Sequence, residues 1–410
     1  MAKAVVVIGI GVEGAAGLSQ ALLERIARAD QLWGSQRLLG MFPQAAAEKM
    51  EIKKNVANHL RQLVQRAPEA QVVILASGDP GFFGIGATLL TILPPDEVLL
   101  FPQPTTLQAA FARLKIPWSE AAFTSTHARP ISEVIGTVRR YAQVGILTAP
   151  RQNPGWVAEK LIAAGAPDCT AYVLQNLGAE KEKIVQTRLV DLPGGKFADL
   201  NVLVLIQDPD WKPVPSFTSR PDEVYVHVRG MITKRDVRAV SISRLAVREN
   251  DIVWDIGAGS GAVSIELAEL AWRGRVYAVE KDGTCLNCIR TNLERFGCQN
   301  VEIVAAAAPQ SLAALPAPDA VIIGGSGGKL EEILLHIESV TRKTCQVIAN
   351  FTLLENLLAA SHWMQQHDWQ PEITEACFSY GKMVGNGTRL APANPVYILG
   401  GTCMANGGEA

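Results

Sequence analysis

The chain has 410 residues, 48% hydrophobic and 19% charged, which is enough apolar material for two or three packed domains and excludes a disordered chain. Its 38 basic and 40 acidic residues leave a formal charge of −2, so nothing global calls for nucleic acid or an anionic membrane surface. Seven cysteines, an odd number spread from Cys169 to Cys403, argue against a secreted disulfide framework and predict a cytoplasmic protein; no apolar run approaches the ~18–20 residues needed to span a bilayer.

The first half alternates short β-branched runs with helical patterns. Strands are expected at Ala4–Ile8, Val72–Ala76, Val98–Phe101, Gly145–Thr148, Thr170–Leu174 and Val202–Ile206. Helices are expected at Leu18–Ala29, Thr105–Leu114 and Trp156–Ala164. Residues 207–223 carry four prolines and read as an exposed joint. The second half repeats the alternation, with strands at Ile252–Ile256, Arg275–Val279, Val301–Val304, Ala320–Ile323 and Gln346–Ala349. Pro395–Gly400, with Ala376–Tyr380, could add a terminal hairpin. Alternating β and α of this kind implies an α/β protein with largely parallel, doubly wound sheets.

The first strand runs into GIGVEG at residues 9–14, a formal G-x-G-x-x-G with Asp30 at about the dinucleotide spacing. Asp30 lies in a stretch that reads as the continuation of a helix, so the pattern alone does not make a nucleotide site. After the strand at Val72 comes SGDPGFFG at 77–84, a tight turn at a carboxyl sheet edge, where α/β proteins bind ligands.

The sharper signal is VWDIGAGSGA at 253–262, a strand that opens through glycines into a helix. It also matches the dinucleotide fingerprint, which keeps a nicotinamide or flavin site open. Asp255 favours another ligand: a carboxylate two residues before Gly257 is unwelcome beside a pyrophosphate and welcome beside the two cationic groups of S-adenosylmethionine. Glu280, ending the next strand, can accept hydrogen bonds from both ribose hydroxyls. Cys285 and Cys288 form a C-x-x-C, but they sit on an apolar helix pattern with no second pair at zinc spacing, so buried thiols are expected and no metal.

Together these stretches carry a resemblance. Residues 3–206 resemble the tetrapyrrole methylases of cobalamin biosynthesis that methylate carbon 5. The matching strings are residues 9–14, WGSQRL at 33–38, residues 76–86, TTLQAAFAR at 105–113, TSTHARP at 124–130, NLG at 176–178 and DLN at 199–201. Residues 230–400 resemble the decarboxylating methylases of carbon 15. Their marks are GMITKRDVRA at 230–239, the 255–261 loop, GGSGG at 324–328, NFTLLE at 350–355 and GTR at 387–389. In this order the halves resemble the fused, decarboxylating C5,15-methyltransferase family. Departures from its pattern are the alanines at 305–308, His127-Ala128-Arg129 in place of His-Gly-Arg, and Gln175-Asn176 where Glu precedes Leu-Gly.

The resemblance implies a tetrapyrrole-methylase domain at 1–208, a Pro-rich linker at 209–222 and a Rossmann-like class I methyltransferase domain at 223–405. Each domain would hold one S-adenosylmethionine. The two would methylate carbons 5 and 15 of precorrin-6Y or 6B, or the cobalt form, and remove the ring C acetate carboxyl to give precorrin-8. Cofactor contacts are implied for Gly9, Gly11, Gly78, Asp79, Pro80 and Phe83, and for Thr233, Asp255, Gly257, Gly259, Gly261, Glu280 and Ala307. A polycarboxylate substrate calls for Arg and Lys. Arg37, Arg129, Lys234, Arg235, Arg238, Asn350 and Arg389 are the implied contacts, with His127 and Arg389 the candidates for catalysis. A homo-oligomer is expected from the related subunits. Other readings are a methyltransferase for another tetrapyrrole or heterocycle, and a non-catalytic cofactor-binding module.

Overall fold

The computed structural model describes residues 4–53, 56–66, 70–127, 129–213, 219–228 and 230–405. Residues 214–218 of the predicted Pro-rich joint lie outside the described residues. Two compact units divide the chain. One comprises residues 1–130, 141–162 and 167–211; the other comprises 131–140, 163–166 and 212–410.

The first unit contains two sheets. Strands β1 (Val5–Ile10), β2 (Gln31–Gly34), β3 (Glu48–Glu51), β4 (Val72–Ser77) and β5 (Val98–Phe101) form a wholly parallel sheet in the order β3-β2-β4-β1-β5. β1 and β4 are central and buried on both faces, which is why they read as unbroken apolar runs. Their register sets Gly9 against Ala76, so their carboxyl-end loops lie side by side. The helix expected from Leu18 to Ala29 stops at Ala27, and Asp30 turns the chain into β2, its carboxylate accepting the Gln71 N–H at 2.8 Å. Asp30 thus precedes a strand and is not part of a helix.

The second sheet runs β6 (Ala122–Ser125), β7 (Gln143–Leu147), β10 (Asn201–Ile206), β8 (Thr170–Gln175) and β9 (Lys183–Arg188). Only β6 and β7 pair in parallel; every other pair is antiparallel. The expectation of a largely parallel sheet is corrected here. The short link from β8 to β9 can only make a hairpin, and β10 inserts between β7 and β8 against both.

The second unit holds a seven-stranded sheet. Its strands are β11 (Ile252–Ile256), β12 (Arg275–Glu280), β13 (Val301–Ala305), β14 (Ala320–Ile323), β15 (Thr344–Phe351), β16 (Glu372–Ala376) and β19 (Val396–Met404). A two-stranded ribbon, β17 (Ser379–Val384) and β18 (Gly387–Pro392), stands between β16 and β19 in the chain. The order is β13-β12-β11-β14-β15-β19-β16, which counted within the sheet is 3-2-1-4-5-7-6. The first five run parallel, β19 runs against them, and β16, antiparallel to β19, runs in their direction again. Period-two alternation along β11 sends Trp254 and Ile256 to one core, beneath the helices Leu330–Val340 and Leu354–Gln366. Val253 faces the other core, beneath Arg235–Leu245 and Ala262–Leu270. The predicted terminal hairpin exists, but its first strand is Glu372–Ala376.

Candidate functional site: two clefts at carboxyl strand ends

In the first unit a cavity of about 950 Å3 opens above the carboxyl ends of β1 and β4. Gly11, Arg37, Phe83 and His127 line it, as do Thr148, Asn176, Asp199 and Asn201. Gly9, Gly78, Asp79 and Pro80 do not; they build its floor. A Cβ on Gly9 would lie 1.9 Å from the Gly78 carbonyl oxygen, so only glycine lets the two loops meet. The Gly78 N–H then donates to the Ile10 carbonyl at 2.7 Å, and Asp79 caps its own turn by accepting the Gly81 N–H at 2.8 Å. These contacts give the four residues a part in shaping the two loops.

Arg37 is the informative cation of this cavity. Its Nη2 donates to Ser77 Oγ at 2.9 Å, and burial pushes its pKa below the ordinary arginine value. A guanidinium at the cavity wall that donates to a hydroxyl gains from an incoming carboxylate. Arg129 places its guanidinium 5.7 Å from the centre of the Phe83 ring, a cation–π contact at the rim. His127 is exposed on the loop after β6, its N–H bonded to Ser125 Oγ. Thr148, at the end of β7, donates to Asn201 Oδ1 at 2.5 Å and so orients that amide in the cavity wall.

In the second unit the chain runs outward from β11 through β12 to β13, then returns to β14 on the other side. The topological switch point therefore lies between β11 and β14, where open α/β sheets bind ligands. Two glycine loops meet there. Gly257, Gly259 and Gly261 all have positive φ, and a Cβ on Gly257 would stand 2.6 Å from the Gly325 N. Glu280, at the end of β12, turns its Oε2 to the Gly259 N–H at 2.9 Å. Its Oε1 accepts the N–H groups of Lys281 and Asp282. Three backbone donors fix this carboxylate at the mouth of the loop.

Asp255 lies beneath the loop and does not line an open cleft. It is 2% exposed and accepts from Ser264 Oγ at 2.5 Å. Burial, with a smaller push from the Glu280 charge, raises its pKa to about 7. A cation above the loop would favour its charged form.

Beside the switch point a cavity of about 570 Å3 is lined by the 324–328 glycines, Lys329, Asn350 and Thr352. Asn350 ends β15, and its Oδ1 accepts the buried Ser241 hydroxyl at 3.0 Å, which sets the amide's orientation. Lys234 is ion-paired to Asp222 at 3.4 Å. The Thr233 carbonyl accepts from Arg238 at 2.5 Å, so its backbone is fixed beside the loop segment. Ala307 is exposed in the loop after β13. Arg235 ion-pairs with Asp236. Arg389 sits on the exposed β17–β18 ribbon, opposite Lys382 and outside the lining of this cavity. The ribbon reaches back through Tyr380, whose hydroxyl donates to Asp236 at 2.7 Å.

Arg238 is a correction. Its side chain is 0% exposed and bonds Glu266, Asp222 and the carbonyls of Thr233 and Arg220. Four of its five N–H donors are taken, and burial closes the side chain off from a substrate carboxylate. Arg235 opens the helix and is exposed, whereas Arg238 one turn further on is buried, which a motif string does not reveal. Thr148 and Ser264 carry no motif signal and emerge only from these contacts. Among the described residues no group of three or more His, Cys, Asp or Glu could hold a metal ion. No described helix is long and apolar enough to cross a membrane.

The 3-2-1-4-5-7-6 sheet, its switch-point glycine loop and the anchored acid at the end of the second strand define an S-adenosylmethionine-dependent methyltransferase. Family models match both halves: tetrapyrrole (corrin/porphyrin) methylases over residues 4–193 and a precorrin methyltransferase domain over 223–401. A Sinorhizobium precorrin-6Y C(5,15)-methyltransferase [decarboxylating] is 32% identical over 364 residues, 87% of each chain. The chain belongs to the precorrin-6Y C(5,15)-methyltransferase (decarboxylating) family. The second half alone is 35% identical to a probable cobalt-precorrin-6B C(15)-methyltransferase (decarboxylating) of Pyrobaculum calidifontis, over 44% of this chain and 93% of that one. A crystal structure of precorrin-6y C5,15-methyltransferase from Geobacter metallireducens is 36% identical, covers 46% of this chain and 97% of its own, and has a TM-score of 0.44.

Proposed function

We propose that the chain carries out two methyl transfers and one decarboxylation on a precorrin-6Y-type tetrapyrrole in cobalamin biosynthesis. The first domain, residues 1–208, acts at carbon 5. The second, residues 223–405, acts at carbon 15 and removes the ring C acetate carboxyl. Each domain takes one S-adenosylmethionine, and the work is done in the cytoplasm. Full-length likeness to the fused relatives supports the pairing of activities in one chain. The observation that carries the reading is the Glu280 carboxylate, held by three backbone amides at the lip of the Gly257–Gly261 loop.

The residues fit the methyl donor. Glu280 accepts from ribose hydroxyls, and the loop's positive-φ glycines let the donor approach the backbone. The Asp255 carboxylate beneath it complements a cationic ligand and repels a pyrophosphate. When bound, the donor supplies an electrophilic methyl group. The chain's task is to hold the acceptor carbon in line with it and keep water out.

In the first domain, Gly11 and Phe83 border the donor and Arg37 grips a substrate carboxylate, with Arg129 at the rim. In the second, Asn350 orients the macrocycle in the 570 Å3 cavity, with Lys234 and Arg389 reaching its outer carboxylates. His127 is the candidate acid or base of the first domain. The Glu331 and Glu332 side chains on the wall of the second cavity disfavour a substrate carboxylate there, which faces the macrocycle's edge away from that wall. The second reading, a methyltransferase for another tetrapyrrole, keeps every one of these residues.

Incubation with reduced precorrin-6 and labelled S-adenosylmethionine, followed by mass spectrometry, tests the reading. Two methyl groups gained and one carbon dioxide lost is the expected product. One methyl gained without decarboxylation overturns the assignment of the second domain.

A further inference from the structure

Asn292 lies inside the helix Gly283–Phe296 and is fully buried. Asparagine is a poor choice there for helix propensity, and a buried amide is tolerated only with partners. Its partners come from elsewhere in the unit. Oδ1 accepts the Val226 N–H at 2.8 Å, and Nδ2 donates to the Val226 carbonyl at 2.7 Å and the Ser260 carbonyl at 2.9 Å. One side chain thus pairs with Val226 as a neighbouring strand would, and ties it to the middle of the glycine loop.

The segment containing Val226 is pinned a second time by Arg238, through the Arg220 and Thr233 carbonyls. Between these pins the Met231 carbonyl comes within 3.8 Å of where a Cβ on Gly259 would stand. The segment therefore crosses the outer side of the loop that Glu280 also touches. Without the amide, one N–H and two carbonyls lose their partners and turn toward water, taking the loop with them.

We propose that Asn292 is a positioning residue for methyl transfer in the second domain. It locks the glycine loop and the overlying segment in one register, and so sets the affinity for the methyl donor without touching it. This inference rests on reading the glycine loop as the donor site.

The test uses the full chain, with S-adenosylhomocysteine titrated by calorimetry and methylation at each carbon followed separately. Glu280→Ala marks which binding step belongs to the second domain. Asn292→Leu keeps the volume and removes all three bonds. Its KM for the donor at carbon 15 rises roughly 10-fold or more, with kcat changed less than about 3-fold and carbon 5 methylation as in the unmodified chain. Gly230→Ala is the companion: φ is +77° and no atom lies within 4 Å of the added Cβ, so only the left-handed backbone is penalised. It raises the same KM about 3-fold with only a small drop in the unfolding temperature. Unchanged donor affinity in a folded Asn292→Leu overturns the role of Asn292; if that variant does not fold, an unchanged KM in Gly230→Ala does so. Intact binding at both sites in Glu280→Ala overturns the reading of the loop itself, a separate failure.

Discussion

Each domain sets an arginine beside its ligand loop, one exposed at a cavity wall and one buried, and the two are wired differently. Arg238 of the second domain is fully enclosed and spends its donors on Glu266, Asp222 and two carbonyls. Arg37 of the first domain lines a cavity wall, where Ser77 Oγ accepts one of its donors. A buried guanidinium bonded through all three of its nitrogens is part of the frame, whereas one with donors turned to a cavity is built to meet an anion. Both arginines stand in family-like strings, so the distinction comes from their partners alone.

The largest test of this contrast is Arg238→Leu. Removing one member of a buried pair strands Glu266, and the second domain should lose about 3–5 kcal/mol of stability, read by denaturant unfolding. If it unfolds as before and only substrate binding suffers, the contrast is broken. Next, Gly257→Ala drives a Cβ against the Gly325 backbone and should cut methylation at carbon 15 by ~100-fold, with carbon 5 methylation as the internal reference. Arg37→Ala should raise the tetrapyrrole KM at carbon 5 about 10-fold, equivalent to one lost charge-assisted contact, with no shift in unfolding temperature.

The smallest effect is a pH slope. Asp255 has its folded pKa raised to about 7 by burial, above the ordinary carboxylate value. A raised folded pKa means the folded state binds the proton more tightly. That contribution is fully present below about pH 4 and is lost as the pH rises through 7, by at most ~1.4 kcal/mol per pH unit. Asp255→Asn should flatten the slope in denaturant unfolding between pH 5 and 7. Saturating methyl donor, whose cation favours the charged carboxylate, should reduce the slope in the unmodified chain.

Most of the strands that the sequence reveals are interior ones, with β5 and β13 as apolar edge strands beside them. β1, β4, β11, β12 and β14 are covered on both faces and therefore appear as apolar runs. The strands it hides are mostly at edges: β3 and β6 and β9 each end a sheet. β3 reads Glu48-Lys49-Met50-Glu51, with no apolar side to betray it, as suits an edge that must resist pairing with other chains. β2 is hidden for another reason, being four residues long and directly downstream of a helix whose pattern runs into it.

The site divides in the same way. The chain by itself determined the order of the two domains, the glycine loops and the acids Asp255 and Glu280, because backbone conformation at a turn and the chemistry of a strand end are local demands met by local residue types. Only the tertiary structure decided that Asp255 lies under the loop, that Gly9 and Gly78 shape a floor, and that Arg238 is frame while Arg37 faces a cavity. Those outcomes depend on which distant atoms arrive beside a side chain and how much water they displace, and neither is written in the residues on either side of it.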